Sequence, residues 1–299
     1  MIFSNTSSYM LKYQKTKSKL VEYGISQNDY PEFPLNSNEL SYPIIYILSR
    51  YAESIIENSK TDREAFSPYL VVASQYFDAA VGARDRTVYD TDFLLSGAAS
   101  YFFSNDFGSA KVLCSEFLDR AYQEINTPQR ILGNILGNLL LNRKLQINND
   151  THAGKSICRS LLNYYTTGEG RERIQQLLLE YREEVYENNS PLEIYYVDVL
   201  YAVIMVALSK SSWSLLPRYS KLDSSLWFSY LKSAKAPKML WPAQQLIGEK
   251  GVLCGHSAIV QLPTGVGKTK SIELIIRSSF ASDRAATAII VAPLRALCK

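Results

Sequence analysis

Leu262-Pro263-Thr264-Gly265-Val266-Gly267-Lys268-Thr269 is a stretch whose residue types and spacing can hold a phosphate chain. Glycines let the backbone curl so that consecutive N–H groups turn toward phosphate oxygens, and a helix starting just afterwards presents its positive end to the same anion. Thr264, Gly265, Val266 and Gly267 form that loop. Lys268 would reach the β- and γ-phosphates, and Thr269 places a hydroxyl where a magnesium ion bridging them needs an oxygen ligand. The chemistry implied is binding of ATP with Mg2+. Leu262 occupies the place where the generic phosphate loop has glycine, a departure from the pattern.

Such a loop needs a strand before it and a helix after it. Ala258 to Leu262 and Ala286 to Ala292 are short, β-branched apolar runs, and Lys268 to Phe280 between them reads as a helix. Strand, loop, helix and strand is the βαβ order of a parallel sheet. Gly154-Lys155-Ser156 carries a similar tripeptide, but no β-rich run precedes it and only one glycine is present. It reads as the start of a helix.

Before this region the sequence reads as successive helices. Ser67-Pro68 is expected to start one, with serine as cap and proline at the first helical position. Ser190-Pro191-Leu192-Glu193 adds a glutamate that can reach back to the cap. Turn signals stand at Ser104-Asn105-Asp106, Asn148-Asn149-Asp150, Gly168-Glu169-Gly170 and Asn188-Asn189. Ile174, Leu177, Leu178, Tyr181 and Val185 recur at helical steps and form one stripe that a neighbour must cover. Gly133 and Gly137 imply close helix packing. The expected fold is mainly α: a helical bundle or short solenoid over 1–236, followed by the start of an α/β domain over 237–299.

Composition is that of a globular protein, 46% hydrophobic and 20% charged. The four cysteines include no CxxC pair and there are only two histidines, which argues against the usual zinc sites and for a reducing, cytoplasmic setting. The N-terminus does not read as a secretory signal. The apolar run from Ile194 to Leu208 carries Asp198 and is shorter than the roughly 20 residues of a membrane span, so a buried helix and no membrane association are expected. Charge is divided unevenly. Residues 1–209 hold 19 Lys+Arg against 25 Asp+Glu, whereas residues 210–299 hold 13 against 4. A polyanion would bind the last third.

The segment Pro263 to Thr269 resembles motif I of the superfamily 2 helicases. Leu240-Trp241-Pro242-Ala243-Gln244 is similar to the family's segment before the first strand, and Ala292-Pro293-Leu294-Arg295-Ala296-Leu297 to its motif Ia. The resemblance covers the last fifth of the chain. It implies a RecA-like P-loop domain, an adenine-reading role for Gln244 (or Gln245), and contacts from Pro293 and Arg295 to the backbone of DNA or RNA. The preceding helical region is more faintly similar to the N-terminal extension of bacterial anti-phage helicases, such as the helicase component of Hachiman-type systems. The family hydrolyses ATP with an Asp-Glu pair on a later strand and arginines from a second RecA-like domain. No complete catalytic set is found in these 299 residues, so a fragment inactive by itself is expected.

A reading of another class is a helical interaction module that docks a protein partner, with a P-loop that is vestigial or merely binds nucleotide. Lys210 to Lys238 leaves a further choice open. Six basic residues face Asp223 alone, interspersed with Trp213, Tyr219, Trp227, Phe228 and Tyr230. They could line a single-strand path, or the aromatics could be core.

Overall fold

The structure, a computed structural model, describes residues 37–82, 91–120, 126–147, 151–188, 190–233, 235–262 and 266–291. The chain divides into two compact units, Met1–Ser209 and Lys210–Lys299. The division falls where the charge balance changes sign, and not at 236/237. The shift has a physical cause. Leu215, Leu216, Tyr219, Trp227, Tyr230 and Leu231 share one core with Leu240, Ile247, Leu253 and Leu274, so the segment just after Ser209 packs with the stretch from Leu240 to Leu274.

The described part of the first unit is helical: α1 Ser37–Ile56, α2 Lys60–Gly82, α3 Thr91–Phe103, α4 Phe107–Arg120, α5 Thr127–Leu141, α6 His152–Thr167, α7 Arg171–Asn188 and α8 Pro191–Ser209. Consecutive helices pack from α1 to α5, and α8 runs against α1, α3, α5 and α7. That placement explains its composition. Tyr196, Val197, Val199, Leu200, Ala202, Val203 and Leu208 are fully buried, so a helix apolar all round is the core of the bundle. By length and composition α8 could cross a membrane, yet most of it is buried inside this unit. Asp198, the acid within its apolar run, accepts from Arg182 Nε at 2.7 Å and from the Tyr186 hydroxyl at 2.7 Å, so the charge is paired against α7.

Several local expectations are met. Ser190 N–H donates to Glu193 Oε2 at 3.0 Å at the start of α8. The stripe Ile174, Leu177, Leu178, Tyr181 and Val185 is buried. A Cβ on Gly133 would collide with the Phe117 ring, and one on Gly137 would stand 2.8 Å from Leu118 Cδ1, so both glycines are where α5 meets α4 closely. Gly154-Lys155-Ser156 lies in the first turns of α6, where Thr151 Oγ1 accepts from Gly154 N–H. Ser104 to Asp106 and Gly168 to Gly170 are connections; Asn148 to Asp150 lie outside the described residues.

Ser67-Pro68 does not start a helix. α2 begins earlier, at Lys60, where Ser59 Oγ accepts from Asp62 N–H at 3.3 Å, and Pro68 lies inside it. Proline removes the donor to the carbonyl four residues back. Pro68 and Glu64 are both exposed, so water can satisfy that carbonyl.

The second unit comprises α9 Ser212–Ser220, α10 Ser224–Leu231, α11 Pro242–Glu249, a 3-10 turn Val252–Cys254 and α12 Lys268–Ala281. One antiparallel bridge, Ser211 with Met239, ties the start of the unit to the approach to α11. The two expected strands are absent: 258–262 and 286–291 carry no ladder, and no strand occurs among the described residues. Ile259, Ile289 and Val291 are largely exposed. β-Branched apolar runs suit a pleated, buried surface, but a parallel strand also requires a neighbour to take its hydrogen bonds, and none of the described residues serves. The helix between the runs forms as expected; the sheet start does not.

Candidate nucleotide site

Pro242 sets the first turn of α11, and Gln244 follows it. Gln244 Oε1 accepts the Trp241 N–H at 2.8 Å, which closes the helix start and fixes the amide in place. The side chain is buried, 3% exposed. Its other end faces the loop before α12: a Cβ built on Gly267 would stand 2.9 Å from Gln244 Nε2 and 3.9 Å from Trp241 Cε3. Gly267 has φ +89°, the left-handed region that a residue with a side chain enters only at a cost. The backbone conformation therefore favours glycine here, and a Cβ would also displace the Gln244 amide.

Gln245 is otherwise engaged. Its Nε2 donates to Leu240 C=O at 2.6 Å, so of the two candidate glutamines Gln244 is the one set against the loop. Trp241 entered the sequence reading only as part of the Leu240–Gln244 resemblance, yet its ring edge lines the same approach to Gly267.

α12 is anchored by one face and free on the other. Ser271, Leu274 and Ser278 are buried at steps of three and four. The Ser278 hydroxyl and Arg284 Nη2, the latter at 2.7 Å, both donate to Leu253 C=O, fixing the helix to the 3-10 turn. Lys270 Nζ donates to Lys235 C=O at 2.9 Å and to Glu273 at 2.6 Å, and Arg277 Nε donates to Glu273 at 2.9 Å. Burial works against ionisation of Glu273, but these two cations outweigh it and hold the carboxyl below its ordinary range. The result is a firmly held helix whose first residues, Lys268 and Thr269, are exposed.

A helix of this length leaves its first N–H groups facing outward with a partial positive charge. Lys268 adds a full charge and Thr269 a hydroxyl on the same turn. The arrangement suits an anion carrying a divalent cation, which is the fit that ATP with Mg2+ requires. Among the described residues no group of three or more His, Cys, Asp or Glu could hold a metal, so the hydroxyl and the phosphates themselves would have to do so. Of the other expected site residues, Val266 is described and partly buried, whereas Thr264, Gly265, Pro293 and Arg295 lie outside the described residues.

Residues 241–299 match the family model of the DEAD/DEAH box helicases. The matched stretch opens at Trp241 and contains Gln244, Gly267, Lys268 and Thr269, and it is similar to ATP-dependent helicases of superfamily 2. No curated protein matches the chain.

Proposed function

We propose that the chain is part of an ATP-dependent superfamily 2 nucleic-acid helicase or translocase, whose P-loop binds ATP with Mg2+. The observation that carries this reading is the packing of Gln244 against Gly267 inside the segment that matches the helicase family. A glutamine that reads adenine must lie beside the loop that holds the phosphates, and this one does. In the proposal Thr264 to Gly267 wrap the phosphates, Lys268 neutralises the β- and γ-oxygens, and Thr269 holds magnesium. Magnesium supplies charge withdrawal from the phosphate oxygens. Pro293 and Arg295 contact the nucleic-acid backbone. Hydrolysis would draw on carboxylates and arginines that the family carries in later segments.

The acidic helical unit would serve as the docking part, taking a protein partner while the basic unit handles ATP and nucleic acid. A cytoplasmic role in antiviral defence, as in Hachiman-type systems, belongs to the same proposal. Competition between ATP and GTP for the site tests it. ATP should be preferred, and Gln244→Ala should erase the preference; equal binding of both by the unaltered chain would remove the adenine-reading role.

A further inference from the structure

The basic segment from Lys210 to Lys238 has its aromatics sorted into two sets. Tyr219, Trp227 and Tyr230 are buried in the core of the second unit, and the Trp227 indole N–H donates to Ser220 Oγ at 2.9 Å. Phe228 stands apart, and Trp213 packs partly buried against that core. Phe228 is 43% exposed and Trp213 half-buried, and their rings meet edge to face with centroids 5.8 Å apart. Lys232 Nζ lies 4.7 Å from the centre of the Phe228 ring. Leu226, on the same short helix, is also exposed.

The segment that carries this pair holds six basic residues against Asp223 alone. Arg218 stands on α9, and Lys221, Lys232 and Lys235 stand in the turns that follow α9 and α10, all four exposed. The segment's acid, Asp223, sits at the opposite end of α10 from Lys232, with Oδ1 accepting the Ser225 N–H at 2.8 Å. An exposed aromatic with a cation on its ring, in a segment rich in exposed cations, suits a ligand that carries both flat rings and regularly spaced negative charge. An acidic peptide would use the cations but gain little from the phenyl and indole faces. Single-stranded nucleic acid uses both, because every base has a face to stack and every nucleotide a phosphate.

We propose that Trp213, Phe228 and Lys232 form a contact surface for single-stranded nucleic acid, at sequence positions other than Pro293 and Arg295, where such contacts are expected. A base stacks on the aromatic pair, and Lys232 with the neighbouring cations takes phosphates. The surface rests on the nucleic-acid reading above and adds to it a site outside the stretch that matches the helicase family.

The test uses the whole 299-residue chain and fluorescein-labelled oligo-dT or oligo-U, each of about 20 nucleotides, long enough to cover a single-strand site. Anisotropy titrations at several salt concentrations compare the unaltered chain with Phe228→Ala and Lys232→Gln. Phe228→Ala should lower affinity about tenfold through lost stacking. Lys232→Gln, at an exposed position that leaves the core untouched, should make the salt dependence shallower by about 0.7 in log–log slope. Loss on either oligomer supports the surface and identifies the polymer. Binding by the unaltered chain that neither substitution changes overturns the surface while leaving the nucleic-acid reading intact. Absence of binding by the unaltered chain to both oligomers overturns both. Equal affinity for a poly-glutamate peptide assigns the patch to acidic protein instead and overturns the proposal.

Discussion

Gln244 Nε2 lies so close to Gly267 that a single added carbon on the glycine would stand 2.9 Å away, while the same amide's oxygen takes the Trp241 N–H at 2.8 Å. The glutamine thus joins the start of one helix to the loop that opens another. Anything that displaces it disturbs the candidate phosphate loop.

Gly267→Ala should be costly on two counts, the left-handed φ of +89° and the approach of Gln244. We expect binding of a fluorescent ATP analogue to weaken about tenfold or more and stability to fall by about 1 kcal/mol. Titration and thermal melting check both. Unaltered affinity would mean that the loop does not hold phosphate in this conformation.

In the bundle, Gly133→Ala should lower stability by about 1–3 kcal/mol, because its Cβ would meet the Phe117 ring at the crossing of α4 and α5. Pairing it with Phe117→Leu should recover part of the loss. Equal melting temperatures for all three chains would refute the close crossing.

Trp227→Ala removes the largest fully buried side chain of the second unit and its bond to Ser220. The expected cost is about 3–5 kcal/mol. Limited proteolysis should then cut within 210–291 while 37–209 remains protected. Simultaneous loss of both regions would contradict the division into two units at Ser209 and Lys210.

Lys210 has its ammonium pushed down to about 8 by burial. The unfolded chain therefore binds the proton more tightly than the folded one. The penalty is present in full below about pH 8 and is relieved as pH rises from there toward the unfolded value of about 10.4. Stability of the second unit should climb across that window, and Lys210→Met should flatten the climb. A flat profile in the unaltered chain would show that Lys210 is well solvated. Lys238, also lowered by burial, contributes in the same sense.

Short-range features of the fold were legible because their causes are local. The stripe from Ile174 to Val185 follows from helical period alone, and the cap at Ser190 from residues three apart. The boundary at Ser209 was not legible, because it depends on Trp227 and Leu231 meeting Leu240, Leu253 and Leu274, contacts between distant stretches. Pro68 misled because proline marks helix starts only by preference, and an exposed position inside α2 tolerates it. The runs at 258–262 and 286–291 carry strand-like composition, but composition says nothing about whether a pairing partner is at hand. At the candidate site, glycines and lysine raised the expectation of phosphate binding by themselves. Gln244 was singled out only through the helicase resemblance, and its meeting with Gly267, a contact between stretches distant in sequence, was not legible.

The central claim is that the loop before α12 binds ATP with magnesium through Lys268 and Thr269. The most direct measurement is titration of the 299-residue chain with a fluorescent ATP analogue, with and without Mg2+, alongside Lys268→Ala and Thr269→Ala. Both side chains are exposed, so neither substitution should change the melting temperature. We expect saturable binding by the unaltered chain, a loss of about tenfold or more in Lys268→Ala, and a magnesium dependence that Thr269→Ala abolishes. Equal affinity in all three chains, with or without magnesium, would contradict the claim.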